Sequence, residues 1–286
     1  MPRNAEDAEE GRIRELRREL LAQASLPAGR CNLAYAALLI AAEAYPGLDI
    51  PAYLARLDGL AGEAADRLRG LSDLSGRLQA LSAYLYEERG FAGNSDAYYD
   101  PRNSYLNEVL DRGLGIPISL AVICLHVARR AQLPLVGVGF PGHFLVKTEG
   151  PEELLLDPFN GNLVSRAACE EWLRAAQEPL AELGPRWLAP ATPVEMLVRM
   201  LRNLLLIYSR GGPAEMALAC AHRILLLAPD SAAEWVQRAG LYEQLGRPEE
   251  ASADLEQALR LGGRQPWTGP VRAHLQELQR RLKPLN

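Results

Sequence analysis

The stretch Asn103–Gly161, NSYLNEVLDRGLGIPISLAVICLHVARRAQLPLVGVGFPGHFLVKTEGPEELLLDPFNG, decides how this chain is read. Its first ten residues suit a short helix with Asn103 or Ser104 as a cap, because a short polar side chain can accept from a free N–H of the first turn. Gly113–Gly115 interrupts. Ile116–Ala131 then reads as an apolar helix whose Pro117 falls in the first turn, where a missing N–H costs nothing. Ser119 shares that turn. After Pro134 the period changes, and LPLVGVGF, GHFLVKTE and ELLLDPF read as strands divided by Pro141-Gly142 and Gly150-Pro151. His143 opens the second of these strands, Asp157 closes the third, and Asn160-Gly161 makes the next turn.

Two chemistries compete for this stretch. GVGFPG, residues 137–142, has the spacing of a dinucleotide fingerprint, and Asp157 follows at a suitable distance. That fingerprint needs a helix opening inside the motif so that its N-terminus meets the pyrophosphate. Here Pro141 intervenes and a strand follows, so no dinucleotide and no other cofactor is expected. The stronger constellation is Ser119, His143 and Asp157. A nucleophile in a helix's first turn has its anionic form favoured by the dipole. A carboxylate behind a histidine fixes the tautomer and supports the imidazolium. Adjacent strands lie about 4.8 Å apart, so His143 and Asp157 are expected to meet.

These residues resemble the transglutaminase-like superfamily, in which a cysteine opens a core helix and is followed by a strand histidine and an aspartate in a D-P motif. GHFLV and LLLDPFNG match the last two elements. More narrowly, NSYLNEVLDRGLGIPISL, PGHFLV and DPFNG, followed by tetratricopeptide repeats, are similar to the SirB family of bacterial proteins over about residues 10–280. The resemblance implies an α+β fold: a mostly helical papain-like core with a small antiparallel sheet, then an α-helical tail. The departure is at Ser119, which stands where the superfamily has its cysteine. A hydroxyl is much less acidic than a thiol near pKa 8.5, so the His–Asp pair would have to deprotonate it during attack. Two functions follow. In the preferred one the site has lost its chemistry and the protein is a regulatory or protein-binding scaffold. In the other it is a hydrolase or acyltransferase in which Ser119 attacks an amide or ester, His143 is the base and Asp157 orients it.

Other residues of the stretch carry open readings. Asn107 offers an amide to an oxyanion, or braces a loop. Tyr105, like Tyr98 and Tyr99, lines a pocket or anchors the Gly/Asn/Asp-rich loop Phe91–Tyr105 on the core. His126 lies seven residues after Ser119 and so near the same helix face, where it is a site wall or a structural group. Metal ligation is not expected, because no second ligand stands at i+4. Cys124 is five positions from Ser119, about 500° around the helix, and is no substitute nucleophile.

Outward from this stretch the chain is helical. Ala5–Ala22, Cys31–Tyr45, Ile50–Leu68 and Asp73–Gly90 have helical spacing, the second apolar nearly all round. Ser165–Ala176 is a further helix. Beyond the Pro-bearing stretch Pro179–Pro193, a 34-residue register aligns Leu201, Leu205, Tyr208, Ala217, Ala221, Ile224 and Pro229 with Trp235, Ala239, Tyr242, Ala251, Leu255, Ala258 and Gly263. That is the tetratricopeptide period. Residues 1–185 are therefore assigned to the transglutaminase-like domain and 190–286 to the repeats, about 198–231 and 232–265, with a capping helix from Pro270 to Leu282. The expected partner is a protein or peptide held by this tail.

Composition narrows the classes. The 286 residues are 48% hydrophobic and 23% charged with a net charge of −5, which offers nothing to attract nucleic acid or anionic lipid. The four cysteines are scattered without a CxxC pair, as buried free thiols of a reducing compartment are. The first twenty residues are charged, and no run reaches the ~18 apolar residues of a membrane span. The expected location is the cytoplasm.

Overall fold

The computed structural model describes residues 2–176, 182–263 and 265–282. They form two compact units, Met1–Met200 and Leu201–Asn286. The division falls inside a helix, later than the Pro-bearing stretch at which the sequence places it; Pro179 itself lies outside the described residues.

The first unit begins with α1 (Pro2–Ala24), α2 (Leu33–Ala44), α3 (Ile50–Leu68) and α4 (Leu74–Ser82). Three of these start on sequence-encoded caps: the side chains of Asn32, Asp49 and Asp73 accept from the N–H groups of Tyr35, Ala52 and Gly76. The expected helix Asp73–Gly90 runs on as a wide π turn, Ala83–Glu88, in which the Arg89 N–H reaches the Tyr84 carbonyl at 2.9 Å. Next come β1 (Ala92–Gly93), α5 (Leu106–Arg112), β2 (Leu114–Gly115) and α6 (Pro117–Arg130). The two-residue strands pair in parallel, Ala92 with Leu114 and Gly93 with Gly115. Such short pairs leave no alternation in the sequence to find them by.

Four antiparallel strands follow in spatial order: β3 (Leu135–Phe140), β4 (His143–Thr148), β5 (Leu155–Asp157) and β6 (Asn162–Val164). Successive side chains on a strand face opposite ways, and the core divides accordingly. Phe144, Val146 and Leu156 join α2, α3 and α6 in the main core. Val138, Phe140, Leu145 and Leu155 face the other way, against Cys169 and Leu173 of α7 (Arg166–Ala176). The sheet is thus a middle layer. Its β3 edge is covered by the chain after Leu188: Val138 bridges to Pro190, and the Ala191 N–H bonds the Gly137 carbonyl at 2.8 Å.

The second unit contains the end of α8 (Pro193–Gly211), then α9 (Ala214–Leu227), α10 (Ala232–Gln244), α11 (Pro248–Gly262) and α12 (Thr268–Leu282). The positions picked out by the 34-residue register are largely its buried ones, among them Ala217, Ala221, Ile224, Ala239, Tyr242, Ala251, Leu255 and Ala258. A partly buried ion pair, Arg238 Nε to Asp254 Oδ2 at 2.7 Å, ties α10 to α11. The architecture is α+β, as read from the sequence.

Beyond the C-cap Ala131 of helix α6 stands Gln132, whose φ of 58° makes it the single left-handed non-glycine among the described residues. The Leu133 N–H returns to the Ala128 carbonyl at 2.9 Å, the bond that closes a Schellman cap, where glycine is the usual residue. Removing Cβ there relieves a steric cost of ~1–2 kcal/mol, partly offset by the freer unfolded chain. Gln132→Gly should therefore raise the urea-unfolding free energy by about 0.5–1 kcal/mol.

Candidate functional site

Ser119 is fully buried at the third position of α6. Its hydroxyl donates to the Asn103 carbonyl at 2.6 Å and accepts from the Ile116 N–H at 3.1 Å. The second bond is the reach-back half of a capping box, with serine in the place usually held by glutamate. A Cβ on Gly115 would lie 2.8 Å from this oxygen, so glycine is what lets the turn close so tightly over it. Asn103 is buried as well, and its side chain ties down the loop above: Nδ2 donates to the carbonyls of Ala97 and Tyr98, and Oδ1 accepts from Asn94 at 3.0 Å. The expected role of Asn103 or Ser104 as cap of α5 falls to Tyr105, whose side chain does not cap the helix. Asn103 is occupied in holding the loop.

His143 and Asp157 lie on adjacent antiparallel strands, as expected. Val146 is opposite Leu156, which puts His143 and Asp157 diagonally across one face of the sheet, where such neighbours are ~7–8 Å apart. The expected imidazole–carboxylate bond is not made. The Asp157 carboxylate instead accepts from the Phe159 N–H at 2.8 Å and from Asn160 Nδ2 at 2.7 Å. The D-P motif thereby builds the β5–β6 turn. Gly161 closes that turn at φ +73°, pressed against the Tyr86 ring so closely that a Cβ would lie 2.4 Å from it. Tyr86 OH donates to the Pro158 carbonyl, and Ser82 to that of Gly161. The π turn is what aims Tyr86 at this hairpin.

The His143 ring stacks on Trp172 of α7, with centroids 4.1 Å apart and planes 13° apart. It therefore faces the α7 side of the sheet, while Ser119 is enclosed among Gly115, Leu120 and Val109 on the helical side. No hydrogen bond joins any two of the three residues proposed as a triad. Arg199 of α8 completes the His143 neighbourhood, donating to the His143 carbonyl at 2.6 Å and lying over the Phe144 ring. Burial holds its guanidinium below the usual arginine value, against the pull of nearby Tyr98. Sequence reasoning missed Arg199 because it stands on a helix whose pattern announces only packing.

Of the remaining candidates, Tyr105 is buried edge-on to Tyr45, with centroids 5.3 Å apart, and anchors the loop. Asn107 is buried, and its amide oxygen has no hydrogen-bond partner among the described residues. His126 pairs through Nε2 with Asp58 at 3.0 Å and lines a cavity of about 590 Å³ at the C-terminal half of α6. None of the four cysteines forms a disulfide, all are buried, and burial pushes the Cys124 thiol up to about 12. No helix among the described residues is long and apolar enough to cross a membrane.

A model of the transglutaminase-like superfamily matches residues 51–202, and a tetratricopeptide-repeat model matches 204–280. Fold and sequence together thus define a transglutaminase-like domain joined to helical repeats. A UPF0162 protein of Xylella fastidiosa is 40% identical over 85% of this chain and 88% of its own length. A UPF0162 protein of Pseudomonas aeruginosa is 40% identical over 79% and 83%. Protein SirB1 of Salmonella typhimurium is 29% identical over 80% and 86%. The chain belongs to this UPF0162/SirB family of transglutaminase-like proteins with tetratricopeptide repeats.

Two measurements check the geometry. Ser119→Ala leaves the Ile116 N–H only its long 3.4 Å bond to the Asn103 carbonyl and takes the hydroxyl donor from that carbonyl, so urea unfolding should show a loss of about 1–3 kcal/mol, the cost of under-satisfied buried groups. The second concerns acid. Burial lowers the pKa of both His126 and His143, with Asp58 and Asp157 respectively opposing it. Between those lowered values and the unfolded value near 6.5 the unfolded chain binds more protons, so stability falls as pH drops through that window. The thermal midpoint should be lower at pH 5.5 than at 7.5, and His143→Gln should reduce the difference.

Proposed function

We propose that this protein is a regulatory, protein-binding scaffold of the cytoplasm whose transglutaminase-like domain does no acyl-transfer chemistry and whose repeat unit holds a protein or peptide partner. One observation carries the reading: the Ser119 hydroxyl, at the nucleophile's sequence position, is buried and spent on the Asn103 carbonyl and the Ile116 N–H. A hydroxyl so held is closed off from solvent, commits its proton to a backbone carbonyl, and has neither a histidine nor a carboxylate among its hydrogen-bond partners. The Asp157 carboxylate, whose place in a triad is behind the histidine, serves a backbone turn instead. The repeats supply the positive half of the reading, since tetratricopeptide repeats generally mediate protein–protein interaction. The free cysteines fit a reducing compartment.

The test has two arms. Full-length protein assayed on activated esters and on glutaminyl peptides should give no turnover above that of Ser119→Ala. Turnover lost in both Ser119→Ala and His143→Gln, with both variants folded, would restore the hydrolase reading. Affinity capture should yield a partner with the intact chain and with Ser119→Ala, but not with a chain ending after Met200 that still unfolds cooperatively. A partner retained by that shortened chain would move binding out of the repeats.

A further inference from the structure

A cavity of about 590 Å³ lies in the first unit, between the turn joining α1 to α2, the C-terminal half of α6 and the start of β3. Its volume is that of small-molecule sites, which are lined mainly by apolar side chains with a few placed polar groups. Leu33, Val122, Leu125, Leu135 and Met196 make apolar wall. Val122, Leu125 and Arg129 recur at three- and four-residue spacing and so share one face of α6.

The polar groups around this wall are not equivalent. His126 is held by Asp58, and Asp58 is also gripped by Arg130, through Nε at 2.9 Å and Nη2 at 2.5 Å. Arg129, next in the chain, has no such partner. Arg129 is exposed at the edge of the cavity; the one hydrogen bond its side chain makes among the described residues is Nη1 to the Cys31 carbonyl at 3.5 Å, and no described carboxylate lies within ion-pair distance. Asn32 gives its side-chain oxygen to the Tyr35 N–H, which leaves its NH2 as a donor, and Gln132 adds a second amide. Against these stands one acid, exposed Glu149. The polar part of the lining is therefore richer in donors than in acceptors, and its cation is unneutralised. Gln132 is also the residue kept in a left-handed conformation that glycine would adopt at lower cost.

We propose that this cavity binds an elongated apolar molecule ending in a single carboxylate, with the hydrocarbon between α2, α6 and β3 and the carboxylate on the Arg129 guanidinium. A guanidinium presents two parallel N–H groups that match a carboxylate's two oxygens, and a flexible hydrocarbon suits a cavity with this apolar lining. The site is separate from Ser119 and His143, so it stands whether or not those residues do chemistry.

Isothermal titration of the full chain with decanoate tests it, with decylamine and decanol as matched probes. Decanoate should bind saturably at one per chain, and at least tenfold more tightly than either matched probe. Arg129→Gln should weaken decanoate at least tenfold and bring it level with decanol. Glu149→Gln should leave it unchanged or tighten it. Leu125→Trp, which pushes an indole into the cavity from a half-buried position, should weaken decanoate at least tenfold while the thermal transition stays cooperative. Absence of decanoate binding by the intact chain, equal binding of decylamine, or undiminished binding by folded Arg129→Gln would each overturn the proposal.

Discussion

The hydrogen bond from Ser119 to the Asn103 carbonyl joins the start of the central helix to the loop that lies over it. A hydroxyl buried on all sides must find partners or forfeit its desolvation energy. Ser119 finds them in the backbone on both sides of the Gly113–Gly115 break. The loop then holds itself through Asn103 and Asn94, and the β5–β6 turn meets it where the Gly93 N–H bonds the Phe159 carbonyl at 2.9 Å. Helix, loop and hairpin turn are thus one continuous polar network around a small side chain. Serine serves this better than cysteine would, since a thiol is a weak donor and a weak acceptor.

How much of this could be read beforehand depended on which physical signal each element carried. The α3 boundaries, the strands around His143 and the two helical repeats were legible because their burial is periodic and their ends bear Asn, Asp, Pro or Gly with plain stereochemical jobs. The π turn at Ala83–Glu88 was not, because a widened turn keeps nearly the same apolar spacing as the helix it interrupts. β6 and the β1–β2 pair were too short to show alternation.

The site was legible in its parts and misleading in their assembly. Sequence order placed a small polar residue on a helix, then a histidine, then an aspartate, and all three stand on the expected elements. What order cannot carry is which way a side chain turns. The parity of β4 sends Phe144 and Val146 toward α6 and His143 toward Trp172. The Asx geometry of DPFNG draws the Asp157 carboxylate back to its own turn. Each local preference is strong, and no hydrogen bond joins the three. Asn107 and Tyr105, chosen as site residues, lie in the interior, whereas Arg199 was hidden in a helix of repeat-like pattern.

The bridge between Val138 and Pro190 has a bearing on how the molecule behaves at high concentration. β3 is the outer strand of the sheet, and an outer strand displays a row of backbone donors and acceptors to any similar strand that drifts past. Here the chain's own segment occupies that row, with a residue that has no N–H to hand on to a further strand. At the opposite border β6 is only three residues long, too short a template for stacking. The sheet is closed to growth on one side by proline and on the other by brevity, which disfavours edge-to-edge association of one copy with the next.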